Sequence, residues 1–113
     1  MNFQENYSLK KLNTFGINAL AKLFGNFSSV EGLAEALEYR PTNQSTNQLI
    51  LGGGSNILFT KNFDGLVLKN EITGIERVNE DPDRVFIKAG AGVGWHEFVL
   101  YCIENDLAGA ENL

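Results

Sequence analysis

The chain is short of the residues that build cross-linked or metal-dependent folds. Its 113 residues hold one cysteine, one histidine and two prolines. A lone Cys102 excludes an internal disulfide and a cysteine-rich metal site, and a lone His96 leaves no histidine cluster to hold a metal. Basic residues are also scarce, with nine Lys and Arg against fourteen Asp and Glu and a formal net charge of -5. A nucleic-acid surface needs a basic stripe to neutralise phosphates, and the longest basic run here is Lys10-Lys11. The same deficit excludes a polyanion or membrane-surface patch. No apolar run approaches the roughly 20 residues that span a bilayer. Met1 to Asn6 is polar and acidic, without the basic-then-apolar order of a signal peptide, so the expectation is a soluble, cytoplasmic protein. Small anions stay open as ligands, because backbone N–H groups bind phosphate without any net positive charge.

What is present is ordinary globular material, 43% hydrophobic and 20% charged. Ala19 to Phe24 reads as a strand. Ser28 followed by Glu31 forms a capping box, and Val30, Leu33, Ala34 and Leu37 recur at helical spacing behind it. The polar stretch Pro41 to Asn47 is a loop, and Gln48 to Leu51 is a short buried strand. Lys61 to Gly65 reads as a turn before a strand at Leu66 to Leu68. Ile72 to Val78 and Arg84 to Ala89 are two strands joined by a hairpin loop at Asn79 to Asp83. Trp95, Phe98, Val99, Cys102 and Ile103 then fall on one helical face. The order is mixed α and β, with no internal repeat. The chain stops at Leu113 directly after a loop, which reads as an interrupted domain.

Between two apolar runs stand three consecutive glycines, in Leu51-Gly52-Gly53-Gly54-Ser55-Asn56-Ile57. Glycine costs about 0.5–1 kcal/mol relative to alanine in a regular element, so three together need a reason. In one reading Gly52, Gly53 and Gly54 bring backbone N–H groups against a phosphate, with Ser55 and Asn56 adding side-chain donors. In the other they only shape a bend. A P-loop is excluded because the nearest following lysine is Lys61. The dinucleotide fingerprint fails here, and fails again at Gly90-Ala91-Gly92-Val93-Gly94, where its sixth position is Trp95 or Glu97. A dinucleotide, if bound, belongs to another kind of fold.

Four motifs stand in order: Asn13-Thr14-Phe15-Gly16-Ile17, Leu51 to Phe59, Gly90-Ala91-Gly92 with Trp95-His96, and Gly109-Ala110-Glu111-Asn112-Leu113. Together they resemble the amino-terminal part of the bacterial UDP-N-acetylenolpyruvoylglucosamine reductase family, FAD enzymes of peptidoglycan precursor synthesis. The resemblance implies an α+β FAD-binding region of the vanillyl-alcohol oxidase-like (PCMH) type. Residues 1–70 would form its first lobe, with the phosphate loop, and 71–113 the incomplete start of the second. Gly52, Gly53, Gly54, Ser55 and Asn56 would cradle the FAD pyrophosphate. Gly90 and Gly92 would lie beside the cofactor, and Glu111 and Asn112 would begin a flavin-contacting segment. It further implies hydride transfer from NADPH through the flavin to UDP-N-acetylglucosamine enolpyruvate. The family's serine, arginine and glutamate for that step lie beyond the position of Leu113, so no catalytic residue is carried over and the fragment alone is expected to be inactive. Another flavin oxidase or dehydrogenase, a non-catalytic phosphate-binding module and a purely structural fragment are the competing readings.

The other chemically suggestive residues have plainer explanations. His96 lies off the apolar stripe and is expected in solvent, and Cys102 lies on it and is expected in the core. Glu104 and Asp106 read as a solvated helix end, and Trp95, Phe98 and Phe86 as core. Thr14 either approaches the flavin or satisfies a strand end. A chain ending inside the second lobe is expected to bind FAD weakly and to self-associate through the uncovered face of the Trp95 to Ile103 helix.

Overall fold

The computed structural model describes residues 2–39 and 47–110. Its organising element is a strand, β4 (Phe63–Asn70), in which Leu66, Val67 and Leu68 are all buried. Successive strand residues point to opposite faces, so three consecutive buried residues require cover on both sides of the sheet. Parallel neighbours β2 (Leu20–Phe27) and β3 (Gln48–Leu51) flank β4, and β1 (Gln4–Ser8) runs antiparallel along the far side of β2. One face carries Leu23, Phe27, Leu66 and Leu68, covered by helix α1 (Val30–Glu38) through Leu33, Ala36 and Leu37. The other carries Ala21, Phe24, Leu51 and Val67, covered by Leu9, Ala19 and Phe59 from the connecting segments.

Because β3 and β4 are parallel, a two-residue hairpin cannot join them. The glycine segment begins the crossover between them, which answers part of the question that the three glycines raise.

Several sequence expectations shift by a residue or a face. The helix cap is Ser29, whose hydroxyl accepts the Gly32 N–H at 3.0 Å, and not Ser28. Gly32, three residues on, has no side chain to reach back, so the reciprocal half of a capping box is missing. The inward face of α1 turns through Leu33, Ala36 and Leu37, while Val30 and Ala34 are exposed. Strand β3 is an edge strand in which only Leu51 is buried and Ile50 is 47% exposed. Its burial follows position in the sheet, which an apolar run does not encode. The expected turn at Lys61 to Gly65 is already strand from Phe63. The loop expected at Pro41 to Asn47 lies, apart from Asn47, outside the described residues.

Past the sheet, β5 (Ile75–Glu80) and β6 (Val85–Ala89) form an antiparallel hairpin. Its turn is held by Asp81, whose carboxylate accepts the N–H groups of Asp83 at 2.9 Å and Arg84 at 2.8 Å. Helix α2 (Trp95–Glu104) follows and ends in a Schellman arrangement. Asp106 takes the left-handed conformation at φ 56°, Leu107 N–H reaches the Cys102 carbonyl at 2.8 Å, and Asp106 N–H reaches Ile103. Cys102 is buried and Phe98 and Val99 are half-buried. Trp95 and Phe86, expected in the core, are 50% and 46% exposed, and Ile103, on the helix face expected to lack cover, is 57% exposed, because neither the hairpin nor the helix has a second layer over that side. The molecule is accordingly long and flat, 56 × 30 × 17 Å, with a radius of gyration of 17.0 Å. A compact chain of this length would have about 13 Å.

The cap makes a clean test. Ser29→Ala should lower stability by about 1 kcal/mol in urea denaturation, whereas Ser28→Ala should leave it within about 0.5 kcal/mol of the parent.

Candidate functional site

The glycine loop stands on a platform built from residues 9–19. Asn13, the one buried polar residue among those described, organises it. Its side-chain amide donates to the Leu9 carbonyl at 2.7 Å and the Ile17 carbonyl at 3.1 Å, and its carbonyl oxygen accepts the Ile17 N–H at 3.0 Å. Both donors and the oxygen of that amide thus close the loop. Gly16, at φ +67°, makes the reversal.

Gly54 docks on this platform. Its φ is +74°, and a β-carbon there would run into the Leu12 carbonyl oxygen and Asn13 Cα. Its own carbonyl accepts the Thr14 N–H at 3.0 Å. Thr14 therefore anchors the loop through its backbone, while its side chain remains exposed.

Gly52 and Gly53 differ from Gly54. Both are exposed, neither has a positive φ, and a β-carbon on either would meet nothing within 4 Å. The packing of this chain gives no reason for glycine at either position. The backbone N–H groups of Gly53, Gly54, Ser55 and Asn56 have no partner among the described residues. Unpartnered donors in a segment where Gly53, Ser55 and Asn56 are exposed and Gly54 is buried on the platform, at the end of a parallel strand, can hold an anion. Sequence reasoning missed one participant. Lys69, beside Leu51 in the β3–β4 register, donates from Nζ to the Gly52 carbonyl at 2.7 Å. No motif marks it, because it is one lysine in a strand seventeen residues downstream.

The second glycine cluster is built differently. Gly90 N–H donates to Gly74 at 2.9 Å and Gly92 N–H to Ile72 at 2.7 Å. A β-carbon at Gly90 would strike the carbonyls of Ile72 and Thr73, and one at Gly92 would strike Glu71. Their lack of a side chain lets the start of the hairpin-and-helix unit press against residues 71–73. Glu111 and Asn112 lie outside the described residues. His96 is exposed on α2, and Glu104 and Asp106 are exposed at its end. Among the described residues no group of three or more His, Cys, Asp or Glu could hold a metal ion, and no helix is long and apolar enough to cross a membrane.

Residues 22–112 match the model of a family described as an FAD binding domain. The whole chain is 48% identical to a UDP-N-acetylenolpyruvoylglucosamine reductase of Amoebophilus asiaticus and 46% identical to one of Flavobacterium johnsoniae, covering 33% of each. Over 101 residues, 89% of the chain, it is 46% identical to the enzyme of that name from Burkholderia lata, covering 29% of it. The chain thus spans about a third of the length of these curated relatives. It belongs to the FAD binding domain family, and the mixed α and β architecture agrees with that membership.

The two kinds of glycine should separate on substitution. Gly54→Ala should destabilise the protein by several kcal/mol, since it combines a left-handed backbone with a steric clash. Gly52→Ala and Gly53→Ala should leave thermal unfolding within about 0.5 kcal/mol of the parent. Asn13→Ala should cost about 2–3 kcal/mol, because carbonyls and an N–H lose their partner inside the fold.

Proposed function

We propose that this chain is the FAD-holding part of a UDP-N-acetylenolpyruvoylglucosamine reductase, and that the loop from Gly52 to Asn56 holds the FAD pyrophosphate. One observation carries the assignment of the loop: Gly52 and Gly53 are glycines that the fold does not need, beside backbone donors that the fold does not use. The group fits the residues present. Its phosphates take N–H donors, a β-carbon at position 52 or 53 would enter the space they need, and the Lys69 ammonium lies beside the loop. Identity of 46% and 48% along this whole chain to a third of the length of enzymes of that name supports the choice of reductase over another flavoprotein.

In this reading the chain binds and orients. The Gly53, Gly54, Ser55 and Asn56 amides fix the phosphates, with the Ser55 and Asn56 side chains as further donors. Asn13 and Thr14 hold the loop rigid, so that little ordering is left to occur on binding. Gly90 and Gly92 set where the hairpin and α2 leave the sheet, giving the wall beside the cofactor, and the family resemblance adds Glu111 and Asn112 as cofactor-binding residues. Residues 1–70 then act as the first lobe of a PCMH-type site and 71–113 as the start of its second. Bound FAD supplies hydride acceptance and donation, with NADPH as donor and UDP-N-acetylglucosamine enolpyruvate as acceptor in the whole enzyme, a cytoplasmic step of cell-wall precursor synthesis. The exposed Trp95, Phe86 and Ile103 support self-association of the chain when it is isolated.

Backbone recognition predicts an order of effects. In the full-length protein, Gly53→Val should strip FAD during purification, read from flavin absorbance, while Ser55→Ala should retain most of it. Equal losses from the two would remove the backbone cradle. His96→Ala should leave turnover nearly unchanged, and a fall of about 10²-fold or more would make it a general acid or base.

A further inference from the structure

We propose that Lys69 is a positioning residue that sets the direction of the anion-binding loop by holding one peptide group. The inference rests on the phosphate-cradle reading and adds to it a residue that no motif marks. The Lys69 ammonium donates to the Gly52 carbonyl at 2.7 Å. The peptide that this carbonyl belongs to is trans, and a trans peptide is planar, so its C=O and N–H point in opposite directions. Its N–H is that of Gly53, which has no partner among the described residues. Capturing the carbonyl on the β4 side therefore turns the Gly53 N–H away from the sheet, toward open space.

The anchor matters here because of what flanks it. A peptide between two glycines, such as Gly52–Gly53, is little restricted in rotation, since neither residue has a β-carbon to limit φ and ψ. Left free, the Gly52–Gly53 peptide would present its carbonyl to an anion as readily as its N–H. An anion is repelled by the first arrangement and held by the second. The next fixed peptide, Gly54–Ser55, is anchored in the same way by Thr14 N–H at 3.0 Å, which turns the Ser55 N–H away from Thr14. Lys69 supplies the matching anchor at the start of the loop. It can do so because Leu51, its partner in the β3–β4 register, is the residue immediately before Gly52.

The test uses the full-length protein freed of FAD, with Lys69→Met, Lys69→Arg and Gly53→Val. FAD affinity is read from flavin fluorescence at low and high salt. Riboflavin, which has the flavin ring and no phosphate, serves as the second probe, and NMR reports the order of the Gly53 amide. Lys69→Met should weaken FAD binding about tenfold, the loss expected for one charge-assisted hydrogen bond, with riboflavin affinity and thermal unfolding unchanged. The Gly53 amide should lose order in Lys69→Met and regain it in Lys69→Arg, together with most of the affinity. If Gly53→Val loses FAD while Lys69→Met binds it like the parent, the cradle stands and Lys69 has no part in it. A loss in Lys69→Met that disappears at high salt while Gly53 stays ordered would mean that the charge acts directly on the ligand, which overturns the positioning role. An equal loss of riboflavin would overturn it too. If Gly53→Val keeps FAD, the cradle itself falls.

Discussion

The structure turns on the contact of Gly54 with the backbone of Leu12 and Asn13. No other amino acid fits there, for two independent reasons: the backbone is left-handed at φ +74°, and the Leu12 carbonyl fills the place of a side chain. That contact joins the segment before β2 to the segment after β3, which are far apart in sequence. It fixes where the glycine loop leaves the sheet and which way its amides can face. The buried Asn13 amide is the other half of the joint. Its bonds to Leu9 and Ile17 brace the platform under Gly54 together with the backbone bonds from Leu9 to Ala19, Leu12 to Leu9 and Gly16 to Asn13.

The sheet explains why the loop exists at all. β4 is apolar on both faces and must lie between two neighbours, and the neighbour that follows α1 in the chain, β3, is parallel to it. A parallel pair needs a long crossover, and a crossover that starts at a strand's carboxyl end puts its first amides where ligands of open sheets bind. The connection that topology demands and the proposed anion site are the same residues.

Charge works locally against the average. With a net charge of -5 the protein as a whole repels an anion such as a diphosphate. In the proposed cradle, backbone donors and the Lys69 ammonium beside Gly52 act at short range without changing that balance, and partial charges at this range outweigh distant screened ones.

The sequence alone determined whatever depends on residue type and short spacing. Three adjacent glycines announced a backbone-specific loop, alternation and turn residues announced the β5–β6 hairpin, and the position of Cys102 on an apolar stripe announced its burial. The four motifs in register pointed to the FAD-binding family to which the chain belongs. Only the tertiary structure could divide the glycines by purpose: Gly54, Gly90 and Gly92 are glycine because other backbone presses on them, and Gly52 and Gly53 are not. It also decided that Ser29 and not Ser28 caps α1, that β3 lies at an edge, and that Lys69 reaches Gly52. In each case the deciding neighbour or local geometry is set by the assembled fold. Spacing along one strand or helix carries the face a residue prefers, and carries nothing about which distant atom waits there.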